Sequence, residues 1–150
     1  MYLVNTNIWL WHLFDLFPEK ERQKFQPTPG RSLEDVLQEV EEFLTEAWEH
    51  LFISDFTLHT LGIHLFRLGL HDLFIGLVNH LADKVVKLEI NDLRRLTEVS
   101  QKFGLNFDDA YQYVAAKKHG FSVVSFDPDF DRTDIGRLTP EQALQKFRRR

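Results

Sequence analysis

Acids or their amides stand at three places where a predicted strand ends or a predicted helix begins. Asn5 follows an apolar run at the start of the chain, Asp108 and Asp109 open a predicted helix, and Asp127 follows a late apolar run. In an α/β sheet, ligand chemistry collects at the carboxyl ends of the strands. Carboxylates that converge there can hold Mg2+ or Mn2+, which lowers the pKa of a bound water and stabilises charge on a phosphoryl centre. Such convergence would make a metal site.

Each of these residues also has an ordinary structural explanation. Asp109 is the third residue after the cap Asn106, where a carboxylate can bond the cap's backbone N–H and interact favourably with the helix dipole. Asp108 interacts with the same dipole, Asp127 opens a turn-like segment, and Asn5 can bond a loop backbone. Considered one at a time, the structural explanations are favoured. Convergence in space would distinguish a metal site from them.

The elements that must position these residues follow from the pattern of short apolar runs and helical periodicity. The predicted strands are residues 2–4, 51–53, 85–88 and 121–125. The predicted helices are residues 6–17, 32–47, 56–65, 70–81, 90–103, 107–119 and 140–147. Residues 19–31 are charged and contain prolines, which predicts an exposed connection. Strands alternating with helices predict one domain over residues 1–150, a three-layer α/β fold with a short, mostly parallel sheet flanked by helices.

The composition narrows the functional classes. A formal net charge of -5 provides no attraction of the whole molecule to nucleic acid, so any such contact must be local. The dense basic stretch at residues 146–150 is the one candidate, and we expect it to be a frayed, solvated end. The absence of cysteine excludes disulfides and thiolate metal sites. No signal peptide or membrane-spanning run is visible, which predicts a cytoplasmic protein without membrane contact.

Two further groups of side chains have alternative explanations. Seven histidines are present without an H-E-x-x-H pair, so scattered structural or surface histidines are expected rather than a metal site. Trp9, Trp11 and Phe14 form an aromatic group in the first predicted helix. These rings can belong to the core, or they can form a surface for a partner segment or a second copy of the chain.

Four ordered blocks give the chain a resemblance to a known family. The blocks are LVNTNI at 3–8, ISDFTLH at 53–59, DAYQYVAA at 109–116 and VVSFDPDF at 123–130. They resemble the blocks of the PIN-domain ribonucleases, in particular the VapC-type toxins of prokaryotic toxin–antitoxin pairs. In that family the first block reads hydrophobic-D-T-N, the third D-A-x-x-x-x-x-A and the fourth V-T-x-D-x-D-F. The resemblance extends over nearly the whole chain.

The resemblance implies a metal-dependent endoribonuclease. The resemblance implies that Asp109 and Asp127 hold Mg2+ or Mn2+ together with the residue at the first-block position, which is Asn5 here. It also implies that a bound water attacks the phosphate of an RNA substrate. Thr6 is implied to support the first-block side chain by a hydrogen bond. The resemblance also implies a homodimer and inhibition by a VapB-type antitoxin.

Two positions depart from the family pattern. The first-block acid is replaced by Asn5, and Thr60 stands at the position where the second block normally supplies a glutamate. An amide oxygen can ligate Mg2+ but brings no negative charge, so metal binding and water activation should be weakened. Asp55 or Asp108 could supply a charge nearby. We therefore expect a strongly impaired nuclease, with a non-catalytic PIN-like RNA- or protein-binding module as the alternative and a DNA nuclease as a third possibility.

Overall fold

The computed structural model describes residues 1–150, and its centre is a parallel sheet of four short strands. The strands are β1 (Tyr2–Val4), β2 (Leu51–Ser54), β3 (Val85–Val86) and β4 (Ser122–Val124). Their order across the sheet is β3-β2-β1-β4, and every neighbouring pair is parallel. The predicted three-layer α/β architecture is therefore confirmed. Because β1 lies between β2 and β4, the residue that follows it reaches the middle of the carboxyl edge.

Helices account for most of the remaining chain. They are α1 (Thr6–His12), α2 (Glu19–Arg22), α3 (Leu33–Glu46), α4 (Asp55–Arg67), α5 (His71–Leu81), α6 (Ile90–Leu93), α7 (Arg95–Phe103), α8 (Phe107–His119) and α9 (Pro140–Arg149). Short 3-10 helices cover Phe14–Leu16, Trp48–His50 and Pro128–Arg132. No helix combines the length and the apolar character that crossing a bilayer requires.

The hydrophobic core lies on both faces of the sheet. Side chains of a strand alternate between its faces, and accordingly Tyr2 and Val4 pack with α1, α3, α4, α5 and α9, whereas Leu3 packs with α7 and α8. Val123 and Val124 divide in the same way, with Val123 on the Leu3 side. A strand buried on both faces must be apolar at every position, which explains the continuous apolar runs in the sequence.

The helix boundaries follow local chemistry where the sequence predicts them. The side chains of Ser32 and Asn106 accept hydrogen bonds from the third residue of α3 and α8, as expected of N-caps. Gly104 and Gly120 end α7 and α8 in the left-handed conformation, with φ of 66° and 71°. These caps determine where α8 begins, and α8 carries Asp108 and Asp109.

Two local predictions need correction. The first helix ends at His12 rather than at residue 17, and Leu16, which lies in the predicted helix, is 59% exposed. Residues 19–31 are not simply an exposed connection, because α2 buries Glu21 beside Lys24 and His64. Phe25 in the same segment packs against the rings of Trp11, Phe14 and Phe17. Tertiary packing of these rings therefore orders a stretch whose sequence is charged and proline-bearing.

Most of the basic stretch at residues 146–150 belongs to the last helix, α9. α9 continues to Arg149, and Arg148 pairs with Glu42 and Glu46 of α3, so the stretch is not a frayed end.

Trp9, Trp11 and Phe14 are all buried within the chain, which favours their assignment to the core.

Candidate metal centre

Three carboxylates meet at the carboxyl edge of the sheet. Asp109 lies in the first turn of α8, Asp127 follows β4, and Asp129 lies in the 3-10 helix behind it. One ligand oxygen from each of them lies within 4.8 Å of the others. This spacing allows one cation to contact all three side chains. Among the predicted positions, the structure brings Asp109 and Asp127 together and adds Asp129, which lies in the same closing block of the sequence.

The carboxylate of Asp109 is not explained by helix capping. Its backbone N–H donates to Asn106 Oδ1 at 2.8 Å, but its own Oδ2 atom is buried without any hydrogen-bond partner. A buried carboxylate oxygen without a partner is costly, and a cation or a proton would compensate for it. Hard carboxylate oxygens are the donors that Mg2+ and Mn2+ prefer. The residues present therefore fit a divalent cation.

The electrostatics of the cluster lead to the same conclusion. Burial, then the charges of Asp127 and Asp108, raise the pKa of Asp109 to about 7. Burial also raises the pKa of Asp108, while a hydrogen bond from Gln112 opposes this shift and the charge of Asp127 adds to it. Asp129 is partly compensated by Arg132, whose guanidinium nitrogen lies 3.1 Å from a carboxylate oxygen. Acids crowded in this way favour protonation or a cation.

Asn5 follows β1 at the same edge of the sheet, and both ends of its amide are engaged. The side chain is 4% exposed, its Nδ2 donates to Ser125 Oγ at 2.9 Å, and its Oδ1 accepts from Thr6 N at 2.8 Å. Ser125 Oγ also accepts from the backbone N–H of Asp127 at 2.9 Å. Ser125, which sequence reasoning did not single out, thus links the first-block position to the Asp127 loop. Asn5 is the N-cap of α1 and brings no charge.

The implied support from the Thr6 hydroxyl is not seen. Thr6 Oγ1 donates to Thr57 Oγ1 at 3.0 Å, and only the backbone N–H of Thr6 reaches Asn5. The hydroxyl of Thr60 donates to Phe56 O in its own helix, so this position offers nothing to the cluster.

Gln112 occupies the space between the second block and the acids. It is fully buried, and its Nε2 lies 2.9 Å from Thr57 Oγ1, 3.0 Å from Ser54 Oγ and 3.2 Å from Asp108 Oδ1. Gln112 therefore links the second block to Asp108, and its own Oε1 atom is buried without a hydrogen-bond partner. The sequence signal for it is weak, because a glutamine inside a helix has no distinctive spacing.

The two nearby acids differ in their availability. Asp55 Oδ1 accepts from the hydroxyl of Tyr111 at 2.6 Å and from Phe56 N at 2.9 Å. Asp108 is half-buried and electrostatically coupled to Asp109 and Asp127. Asp108 is thus the acid better placed to add charge to the cluster.

Comparison with known proteins agrees with this geometry. A family model described as PIN domain matches residues 2–136. The fold is similar to a structure of a toxin–antitoxin complex from Klebsiella pneumoniae, with a TM-score of 0.66 and 20% identity over 93% of this chain and 98% of that chain. It is also similar to FitAcB from Neisseria gonorrhoeae, with a TM-score of 0.66 and 17% identity over 93% and 98% of the two chains.

A third structure, of FitAB bound to an IR36 DNA fragment, has a TM-score of 0.65 and 18% identity over 94% of this chain and 96% of that chain. No curated protein matches the sequence. At these identities the structures establish a shared fold, while the family model spans nearly the whole chain. The chain therefore belongs to the PIN domain family.

Proposed function

We propose that this chain is a VapC-type toxin, a metal-dependent endoribonuclease that hydrolyses phosphodiester bonds of RNA, and that Asn5 impairs it. The observation that carries the proposal is the meeting of Asp109, Asp127 and Asp129 around a buried oxygen without a partner. Purely structural acids would be expected to have hydrogen bonds or cationic partners.

The proposed roles follow from the positions of the side chains. Asp109 and Asp127 hold Mg2+ or Mn2+, with Asp129 as a third oxygen donor and Asn5 at the first-block position. A bound ion of this kind activates a water molecule and stabilises charge on the phosphate. Ser125 positions Asp127 because its Oγ atom accepts a hydrogen bond from the backbone N–H of Asp127, and Asn106 positions Asp109 by capping α8.

The impairment is argued from Asn5. Its Oδ1 already accepts from Thr6 N, and its Nδ2 is a donor that a cation would repel. An aspartate at this position would add a negative charge while keeping an oxygen for the helix cap.

The test compares this protein with its Asn5→Asp variant on an RNA pool containing Mg2+, Mn2+ or EDTA. We expect cleavage by the variant that requires metal and disappears in Asn5→Asp/Asp109→Asn. That double variant also controls for contaminating ribonuclease. A folded Asn5→Asp protein that cuts under none of these conditions would remove the nuclease proposal.

The proposed partners are a VapB-like antitoxin and a second copy of the chain. Two of the similar structures are described as a toxin–antitoxin complex and as FitAB bound to DNA, which supports this type of assembly by analogy. Ile63, Phe66 and Ile75 on α4 and α5 are each more than half exposed, and exposed apolar side chains suit a partner surface. Light scattering of the purified protein tests the homodimer: a mass of one chain at all concentrations would contradict it.

A second candidate is a PIN-like module that binds RNA or protein without cutting. The specific observation in its favour is that neither Asn5 nor Thr60 brings a charge, and that the side chains of both are engaged in neutral hydrogen bonds. It is favoured if RNA binds and the restored variant remains inactive.

A further inference from the structure

A groove runs along α6, α7 and α8. It has a volume of about 390 Å3 and is lined on its apolar side by Leu93, Leu96 and Phe107. Phe107 and Ala110, which also lines the groove, flank Asp108 and Asp109 in the first turn of α8. Because residues three apart share a helix face, the groove lies on the side of α8 that carries Phe107 and Ala110, and Asp108 and Asp109 point to other sides of the same turn.

Phe107 is an unusual residue for such a position. Its side chain is 57% exposed in the first turn of α8. Its ring centroid lies 5.5 Å from that of Phe56 and 6.3 Å from that of Tyr111. The two neighbouring rings support Phe107 from the protein side and leave it open to solvent. Aromatic side chains with an accessible face stack well on nucleobases.

The groove also offers hydrogen-bonding groups that the protein does not use. Ser100 Oγ is engaged with Leu105 O, but Thr97 and Gln101 are exposed and make no hydrogen bond within the chain. An amide and a hydroxyl can pair with donors and acceptors on the edge of a base. Arg94, next to Leu93, is exposed and has no carboxylate partner, so it is available to a phosphate.

We propose that this groove is a nucleobase subsite for single-stranded RNA. In this subsite one base stacks on Phe107 and its edge is read by Gln101 and Thr97. This inference rests on the proposed function for its RNA ligand and adds a substrate-binding residue and a source of base preference. A purely apolar occupant fits less well because it would leave the amide and hydroxyl unused.

The test measures binding rather than cleavage. Fluorescein-labelled oligoadenylate and oligouridylate are titrated in EDTA, with fluorescence anisotropy as the readout. Phe107→Ala should weaken binding by about tenfold, the loss expected for one stacked base. Phe107→Trp should retain binding because it keeps a ring. Leu16→Ala removes an equally exposed apolar side chain outside the groove and should have no effect.

Gln101→Ala separates base reading from general affinity. It should change the ratio of the dissociation constants for oligoadenylate and oligouridylate without changing the melting temperature. If Phe107→Ala binds both oligonucleotides as tightly as the unchanged protein, the proposal is overturned and the groove is free for a protein segment.

The two proposals fail in different ways. If Asn5→Asp does not cleave RNA but binding still depends on Phe107, the subsite stands and the nuclease proposal falls. If Asn5→Asp cleaves RNA and Phe107→Ala binds normally, the nuclease stands and the subsite falls. If neither oligonucleotide binds the unchanged protein, the subsite is overturned whatever the cleavage result.

Discussion

At the scale of single residues, the buried Oδ2 atom of Asp109 is the most informative feature. It has no hydrogen-bond partner and lies among the charges of Asp108, Asp127 and Asp129. Such an arrangement destabilises the metal-free fold and is retained where a ligand compensates for it. Stability and function are therefore opposed at this residue.

Asp109→Asn tests that opposition. Removing the buried charge should stabilise the metal-free protein by about 1 kcal/mol, or roughly 2–4 °C in melting temperature for a chain of this length. The same change should abolish any stabilisation by Mn2+. Calorimetry with and without Mn2+ measures both effects, and Asp83→Asn, at an exposed acid without a partner, is the control. A lower melting temperature with an intact Mn2+ response would contradict the assignment.

At the scale of elements, the site depends on where α8 begins and on what holds the segment after β4. Asn106 caps α8 through a 2.8 Å hydrogen bond to Asp109 N, so the cap places the Asp109 side chain directly. Beyond the 3-10 helix, Asp134 accepts from Tyr113 and Lys117 of α8 at 2.6 and 2.5 Å. These contacts tie the segment carrying Asp127 and Asp129 to the helix carrying Asp109.

Asn106→Ala should lower stability by about 1 kcal/mol, the usual loss for an N-cap. Because the first turn of α8 would loosen, Mn2+ binding should weaken as well. Thermal melts and Mn2+ titration by calorimetry measure the two effects. Asn106→Ser is the matched control because serine is also a good cap, and it should restore both. Equal Mn2+ affinity in all three proteins would show that the cap does not position Asp109.

The Asp134 contacts predict an acid dependence of stability. Hydrogen bonds from Lys117 and then Tyr113 lower the pKa of Asp134 to about 2. A carboxylate with a lowered pKa stabilises the fold above its unfolded pKa, near 4, and this contribution is lost as the pH falls towards 2. Asp134→Asn should therefore be less stable than the unchanged protein at pH 5, and the difference should shrink by pH 2.5. Urea midpoints at both pH values check this, and a constant difference would contradict it.

At the scale of the whole molecule, the C-terminal helix is part of the core rather than an appendage. Ala143 and Leu144 are buried in the cluster that includes α1 and α3, and Arg148 reaches Glu46 from the outer side. Exposed ion pairs contribute little, whereas buried leucines contribute several kcal/mol. α9 is therefore held mainly by apolar packing.

Leu144→Ala should destabilise the protein by about 2–5 kcal/mol, because it leaves a cavity between α9 and the core. Lys146→Ala, an exposed change in the same helix, should remain within about 0.5 kcal/mol of the unchanged protein. Urea denaturation of the three proteins gives both values. Equal effects of the two substitutions would mean that α9 does not pack as described.

Much of the fold could be predicted because its signals are local. Tyr2–Val4 is apolar at every position because both faces of the strand are buried, and Asn106 and Gly120 bracket α8 through their own backbone preferences. The segment at residues 19–31 could not be predicted in this way. Its order comes from Phe25 packing on Trp11 and Phe14, residues that precede it in the chain, and local propensity contains no information about such contacts.

The candidate site, like the fold, was predictable in its local features but not in its contacts between distant segments. The sequence by itself determined the candidates for a cation site, namely Asp109, Asp127 and the first-block residue Asn5, and that Asn5 and Thr60 bring no charge. Only the tertiary structure decided that Asp129 joins Asp109 and Asp127, that Asp109 Oδ2 has no partner and that Gln112 links the second block to Asp108. Residue types and helix caps are properties of short segments, whereas distances between carboxylates depend on how β1, β4 and α8 pack together.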